Sequence, residues 1–175
     1  VQAISADMLV AGRHFFEDTA PQQLGHKALA VNLSDLAAMG ATPRSFTLAL
    51  ALPTLNESWV AAFSKGLLTL ASAHDCALIG GDITRGPLTI GITVIGEVPP
   101  TQALRRDGAQ IGDDLYVSGT LGDAALALRW ALQDPKTIAM ESASVPSGLD
   151  TTAVPTLTTT RRAFESSSRS AGASP

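Results

Sequence analysis

Residues 45–52, Ser-Phe-Thr-Leu-Ala-Leu-Ala-Leu, alternate strictly, with Phe46, Leu48, Leu50 and Leu52 on one side and Thr47, Ala49 and Ala51 on the other. A period of two belongs to a strand, and a strand with one bulky face needs a second layer against that face. Pro53 ends the run. Two helical patterns can supply the layer. Residues 27–39 carry Leu29, Leu33, Leu36 and Gly40 on one stripe, with Ala28, Ala30, Ala37 and Ala38 small enough for close approach to a sheet. Asn56 is the expected N-cap of a second helix running to about His74, with Val60, Phe63, Leu67 and Leu70 as its apolar stripe and Trp59 packing in its first turn. Further strands are expected at 1–6, closed by Asp7, and at 76–79, buried and followed by a turn at Gly80-Gly81-Asp82. A β-rich run covers 88–98. Strands and helices mix without the regular alternation of a doubly wound sheet, so the fold class is α+β.

Pro99-Pro100 marks a boundary. The expected organisation is a first domain over 1–101, a polar connector over 102–114 and the incomplete start of a second domain over 115–140. That start comprises a strand at 115–118, a turn at 119–123 and a helix at 124–132. From about Glu141 Ser, Thr and Pro dominate and apolar periodicity stops, so 141–175 is expected to be disordered. A frameshifted, non-native origin for this tail is a further expectation. The opening strand without a starting Met reads as a cut front end. With 45% hydrophobic residues a core can be built, and 12 Lys+Arg against 16 Asp+Glu give a net charge of −4. That balance lacks the basic stripe of a nucleic-acid binder and the polybasic cluster of a membrane-surface protein. A sole cysteine, Cys76, excludes an internal disulfide and fits a reducing cytoplasm.

Three aspartates end or interrupt apolar elements: Asp7 after the first strand, Asp35 on the first helix, Asp82 after Gly80-Gly81. Asn32 and Asp35, three apart, are expected on one helical face. Carboxylates in such places need hydrogen bonds, cations or a metal, and oxygen donors are what Mg²⁺ takes. Each alone reads more simply as a cap or turn residue. Leu78-Ile79-Gly80-Gly81-Asp82-Ile83-Thr84-Arg85-Gly86 is the richest stretch. Its glycines let backbone N–H groups approach phosphate, although Gly-Gly-Asp by itself is also a common turn. It is not a Walker A loop. His14, in Ala11-Gly12-Arg13-His14-Phe15-Phe16, is a candidate substrate contact or a packing residue.

Several stretches together resemble one family. Ser5-Ala6-Asp7-Met8-Leu9-Val10-Ala11-Gly12-Arg13-His14-Phe15 is similar to a signature of the thiamine-monophosphate kinases. Lys27-Ala28-Leu29-Ala30-Val31-Asn32-Leu33-Ser34-Asp35-Leu36-Ala37-Ala38-Met39-Gly40-Ala41 resembles another throughout its length. Leu78 to Gly86, Arg106-Asp107-Gly108-Ala109-Gln110-Ile111-Gly112-Asp113 and Val117-Ser118-Gly119-Thr120-Leu121-Gly122-Asp123 look like three more, in order and at family spacing.

The resemblance implies an N-terminal ATP-binding domain of the aminoimidazole ribonucleotide synthetase-like type, followed by the start of a second α+β domain. It implies a homodimer around a β-barrel-like interface. It also implies ATP-dependent phosphorylation of thiamine monophosphate to thiamine diphosphate with Mg²⁺. By carry-over Ser5, Ala6, Asp7, Asp35 and Asp82 would line the metal sites, Gly81, Asp82 and Arg106 would meet ATP, and His14 would touch the substrate. No residue is assigned a covalent catalytic role. Ala6 stands where the family usually has Thr, which leaves only a backbone carbonyl there. Family segments expected before Val1 and after the connector are missing, so the chain alone is expected to be incompetent. The alternatives are a binding and dimerisation fragment, or a sibling enzyme of the same superfamily acting on another phosphorylated or carboxylated substrate.

Overall fold

The computed structural model describes residues 1–114 and 121–133. Val1–Asp114 forms one compact unit and a second begins at Leu115. The first unit holds β1 (Gln2–Val10), α1 (Pro21–Ala38), β2 (Thr42–Leu52), α2 (Glu57–Ala73), β3 (Ala77–Arg85) and β4 (Thr89–Glu97), and the second holds α3 (Asp123–Gln133). The mixture is α+β.

The four strands form one sheet in the order β1-β4-β2-β3. β4 runs antiparallel to both β1 and β2, whereas β3 lies parallel to β2. The alternation of β2 is realised as a two-faced strand. Phe46, Leu50 and Leu52 are buried, together with Ile90, Ile92 and Val94 of β4 and Ala3 and Leu9 of β1. The opposite face, with Ile4 and Met8 exposed on β1, is open.

α1 and α2 provide the covering layer. In α1, Leu29, Leu33 and Leu36 are buried as the stripe requires, but the helix begins six residues before the expected start. Pro21 opens it at N1, where a fixed φ and a missing N–H cost nothing. Gly40 lies beyond the helix, left-handed at φ 70°, so it terminates the stripe rather than joining it. α2 begins as expected, with the Asn56 side chain accepting from the backbone N–H of Trp59. The helices cross at two glycines. A Cβ on Gly66 would stand 1.9 Å from the Gln22 carbonyl oxygen, and one on Gly25 would stand 2.1 Å from that of Phe63. Only residues without side chains allow this approach.

Three expectations are corrected. β1 does not end at Asp7 but continues to Val10, because its whole length finds a partner in β4. The segment after Cys76 is not a short buried strand and a turn. β3 is continuous across Gly80-Gly81-Asp82, and all nine residues are exposed, since it hydrogen-bonds only to β2 at the sheet edge. Asn32 and Asp35 also separate, Asn32 being wholly buried and Asp35 exposed, because positions three apart differ by about 60° around a helix and the burial edge falls between them. The helix expected at 124–132 is α3. The strand expected at 115–118 and the tail at 141–175 lie outside the described residues.

Candidate functional site

β1 and α1 build one half of the site. Ser5 and Asp7 alternate with Ala6 and Met8, so their Cα positions share the helix-covered face with Val94 and Ile92 opposite. The Ser5 hydroxyl donates to Asp35 Oδ2 on α1 at 2.6 Å. Asp7 follows two residues along the same face, about 7 Å further up the strand. The Ser5 hydroxyl and the exposed Asp35 carboxylate therefore meet between β1 and α1, with half-buried Asp7 further along the same strand face. Ala6 points to the open face and is exposed; a methyl there supplies no donor.

β3 builds the other half. Its pairing with β2 shifts register between Phe46 and Thr47, so an extra β3 residue is accommodated just before Gly80 and Gly81. Gly81 takes φ 150°, and a Cβ there would lie 1.9 Å from the Leu48 carbonyl oxygen. Gly80 is open, with nothing within 4 Å of a Cβ. The backbone is thus pressed inward at Gly81 and bare at Gly80. Leu48, Leu78, Gly80, Gly81, Asp82 and Ile83 line an open cleft of about 480 Å³. Asp82 is level with Ala49, Gly91 and Met8 across the sheet.

One chain does not bring the two halves together. Asp82 lies on the open face and Asp7 on the covered face, and their strands are three interstrand steps apart, about 14 Å. Among the described residues no three His, Cys, Asp or Glu side chains converge as a metal site. Oxygen donors of the kind Mg²⁺ takes are present at Ser5, Asp7 and Asp35, but in one chain they stand without Asp82. Arg106 is exposed in the segment after Pro100, where Arg105 pairs with Asp107 at 2.8 Å.

His14 lies in the turn that follows β1. Phe15 is its buried anchor, and the backbone closes through Gly12 N–H to Phe15 O at 2.9 Å. The backbone N–H of Val10 donates to His14 Nδ1 at 3.1 Å. Lys27 Nζ donates to the His14 carbonyl at 2.6 Å. Reading the sequence by motif missed Lys27. It is the only Lys or Arg in α1, and that isolation was the available signal. Cys76 is buried, and desolvation pushes its thiol up to about 11, which disfavours the thiolate a nucleophile needs.

Residues 1–98 match the family model of the AIR synthase related protein, N-terminal domain. The chain belongs to this family. It is 56% identical over 126 residues to the thiamine-monophosphate kinase of Salmonella typhimurium, a match covering 72% of this chain and 39% of that protein. Among solved structures, the thiamine-monophosphate kinase of Stenotrophomonas maltophilia K279a superposes with a TM-score of 0.74 at 57% identity, covering 76% of this chain and 42% of that one. The thiamine monophosphate kinase of Aquifex aeolicus gives 0.71 at 33% identity, covering 79% and 48%. A structure of that kinase complexed with AMPPCP and TMP matches equally well. The chain therefore spans about two fifths of the length of the relatives it matches. Among the described residues no helix is long and apolar enough to cross a membrane.

Proposed function

We propose that this chain is the nucleotide- and metal-binding part of a cytoplasmic thiamine-monophosphate kinase, and that a second copy completes its site. The observation that carries this reading is the division of the carboxylates between the two edges of one sheet. β1 and β3 are both edge strands, and β1 bears Ser5, Ala6 and Asp7 whereas β3 bears Gly81 and Asp82. When β3 of one copy lies beside β1 of the other, the 14 Å separation within a chain becomes one interstrand step of about 5 Å between chains. Doing this at both junctions closes two four-stranded sheets into a barrel, buries the open faces bearing Ile4 and Met8, and removes both exposed edges.

Across that junction Ser5, Asp7 and Asp35 of one copy and Asp82 of the other would supply oxygen donors to Mg²⁺ ions on the two sides of the seam, with the Ala6 carbonyl in the edge between them, and the ions would neutralise charge on the polyphosphate. Gly80 and Gly81 offer backbone N–H groups to phosphate, Arg106 offers a guanidinium, and His14 faces the acceptor. In the reaction a terminal phosphate oxygen of thiamine monophosphate forms a bond to the γ-phosphorus of ATP as the bond to the ADP oxygen breaks. The residues act by holding both oxygens in line and by excluding other orientations. The 56% identity to a thiamine-monophosphate kinase and the Aquifex complex with AMPPCP and TMP support the substrate pair.

Melting curves with and without Mg·ATP test the assignment. The wild-type chain is expected to gain stability that grows with ligand concentration. Asp7→Asn and Asp82→Asn are each expected to lose most of that gain, while the ligand-free proteins melt no lower than wild type. A full ligand-induced shift in Asp82→Asn would remove that residue from the site.

A further inference from the structure

Two side chains of α1 reach across to β1 and its turn. Asp35 accepts from the Ser5 hydroxyl near the start of β1, and Lys27 donates to the His14 carbonyl just past its end. The later helix residue meets the earlier strand residue, so the two elements run antiparallel, with the contacts about 12 Å apart along the helix axis. The first contact belongs to the carboxylate cluster. The second touches none of the groups assigned to ATP or metal, and its target is the one backbone carbonyl whose peptide carries His14.

We propose that Lys27 is a positioning residue that fixes the His14 imidazole in a single tautomer, with its Nε2–H presented to the acceptor phosphate. The Val10 N–H occupies Nδ1 as a donor, so a neutral ring carries its proton on Nε2. That arrangement requires the His14 backbone to stay folded back over Val10, and the backbone N–H groups of Arg13 and His14 both donate to the Val10 carbonyl at 3.1 and 3.0 Å. These bonds hold the amide side of the turn. Lys27 holds the carbonyl side, and a charged donor at 2.6 Å is stronger than a neutral one. His14 itself is exposed, so its ring is free to turn unless its backbone is held. An Nε2–H donor suits a phosphate oxygen, which accepts only. The substrate part of this inference rests on the kinase reading; the tautomer part does not.

Nitrogen-15 correlation spectra of the histidine rings in the full 175-residue chain test it. In the wild type His14 is expected to show an acceptor-type Nδ1 and a protonated Nε2 at pH 8. Lys27→Met, which keeps chain length but no donor, is expected to move both nitrogen shifts toward the average of the two tautomers, with His26 and His74 unchanged. Lys27→Arg is expected to restore the wild-type spectrum. A purely structural lysine would lower the melting temperature and leave the tautomer alone, and that result would overturn the proposal. An unchanged His14 spectrum in Lys27→Met would overturn it too, even at unchanged stability. Failure of the kinase reading would appear separately, as absence of any Mg·ATP-induced stabilisation in the wild type.

Discussion

The two edges of the sheet are opposites. β1 is tied to the helix layer, with Ala3 and Leu9 buried and side-chain bonds from Asp35 and Lys27 at either end. β3 is held by its pairing with β2 alone among the strands; Ile79 and Ile83 are each 61% exposed, and all nine of its residues are exposed. A bare apolar edge strand is an invitation to pair. β1 is covered by its own chain, whereas β3 leaves apolar side chains in solvent. The bare edge carries the Gly-Gly-Asp segment.

The largest effect should come from breaking the layer that protects β1. Gly66→Ala pushes a methyl into the Gln22 carbonyl at 1.9 Å, where both partners are helix backbone and cannot yield. Overpacking of this kind costs about 3 kcal/mol, read as a fall in the urea midpoint at unchanged slope. Loss of less than about 1 kcal/mol would mean that the helices slide apart freely.

A smaller effect follows from Cys76, buried between α2 and β3. Burial raises its thiol to about 11 from an ordinary value of 9.0, so the unfolded chain releases this proton first. The stabilisation it contributes is whole below pH 9 and is lost as pH rises toward 11. Cys76→Ala should flatten the stability curve in that window; the same slope in the variant would assign it to other groups.

On the bare edge the effect on the folded chain itself should be smallest. Ile83→Ser replaces a side chain already in solvent, so unfolding of the separated chain should change by no more than about 0.5 kcal/mol. Self-association should weaken markedly, as sedimentation at micromolar concentration would record. Unaltered association would show that β3 is not the joining edge.

The contrast between the edges also explains what could be read in the sequence. β2, α2 and the α1 stripe were legible because each buries one face against its own chain, and burial against self leaves a periodic pattern. Asn56 announced its cap by type and position. β3 misled because its Leu78-Ile79 looks like core, when within one chain those side chains meet water. Cα pairing also carried β1 past Asp7, since a strand extends as far as its neighbour does, whatever the residue. Of the proposed site, Ser5, Asp7 and Asp35 come from the family-like motifs, and the structure joins two of them, the Ser5 hydroxyl and the Asp35 carboxylate. The division of Asp82 from them depends on strand order, which no local pattern encodes. Lys27 stands inside a family-like stretch, but its contact is to a backbone carbonyl, which no side-chain pattern encodes.

Mixing two damaged chains tests the shared site most directly. Asp7→Asn and Asp82→Asn should each fail to respond to Mg·ATP alone. When the two are unfolded together and refolded one to one, half of the dimers carry one chain of each kind. Each such dimer has one site with both carboxylates intact and one with neither, so roughly a quarter of all sites are restored. A site shared between two copies predicts that the mixture recovers about a quarter of the wild-type Mg·ATP binding capacity at wild-type affinity. A mixture that binds no better than either variant alone would mean that each site lies within one chain, and would contradict it.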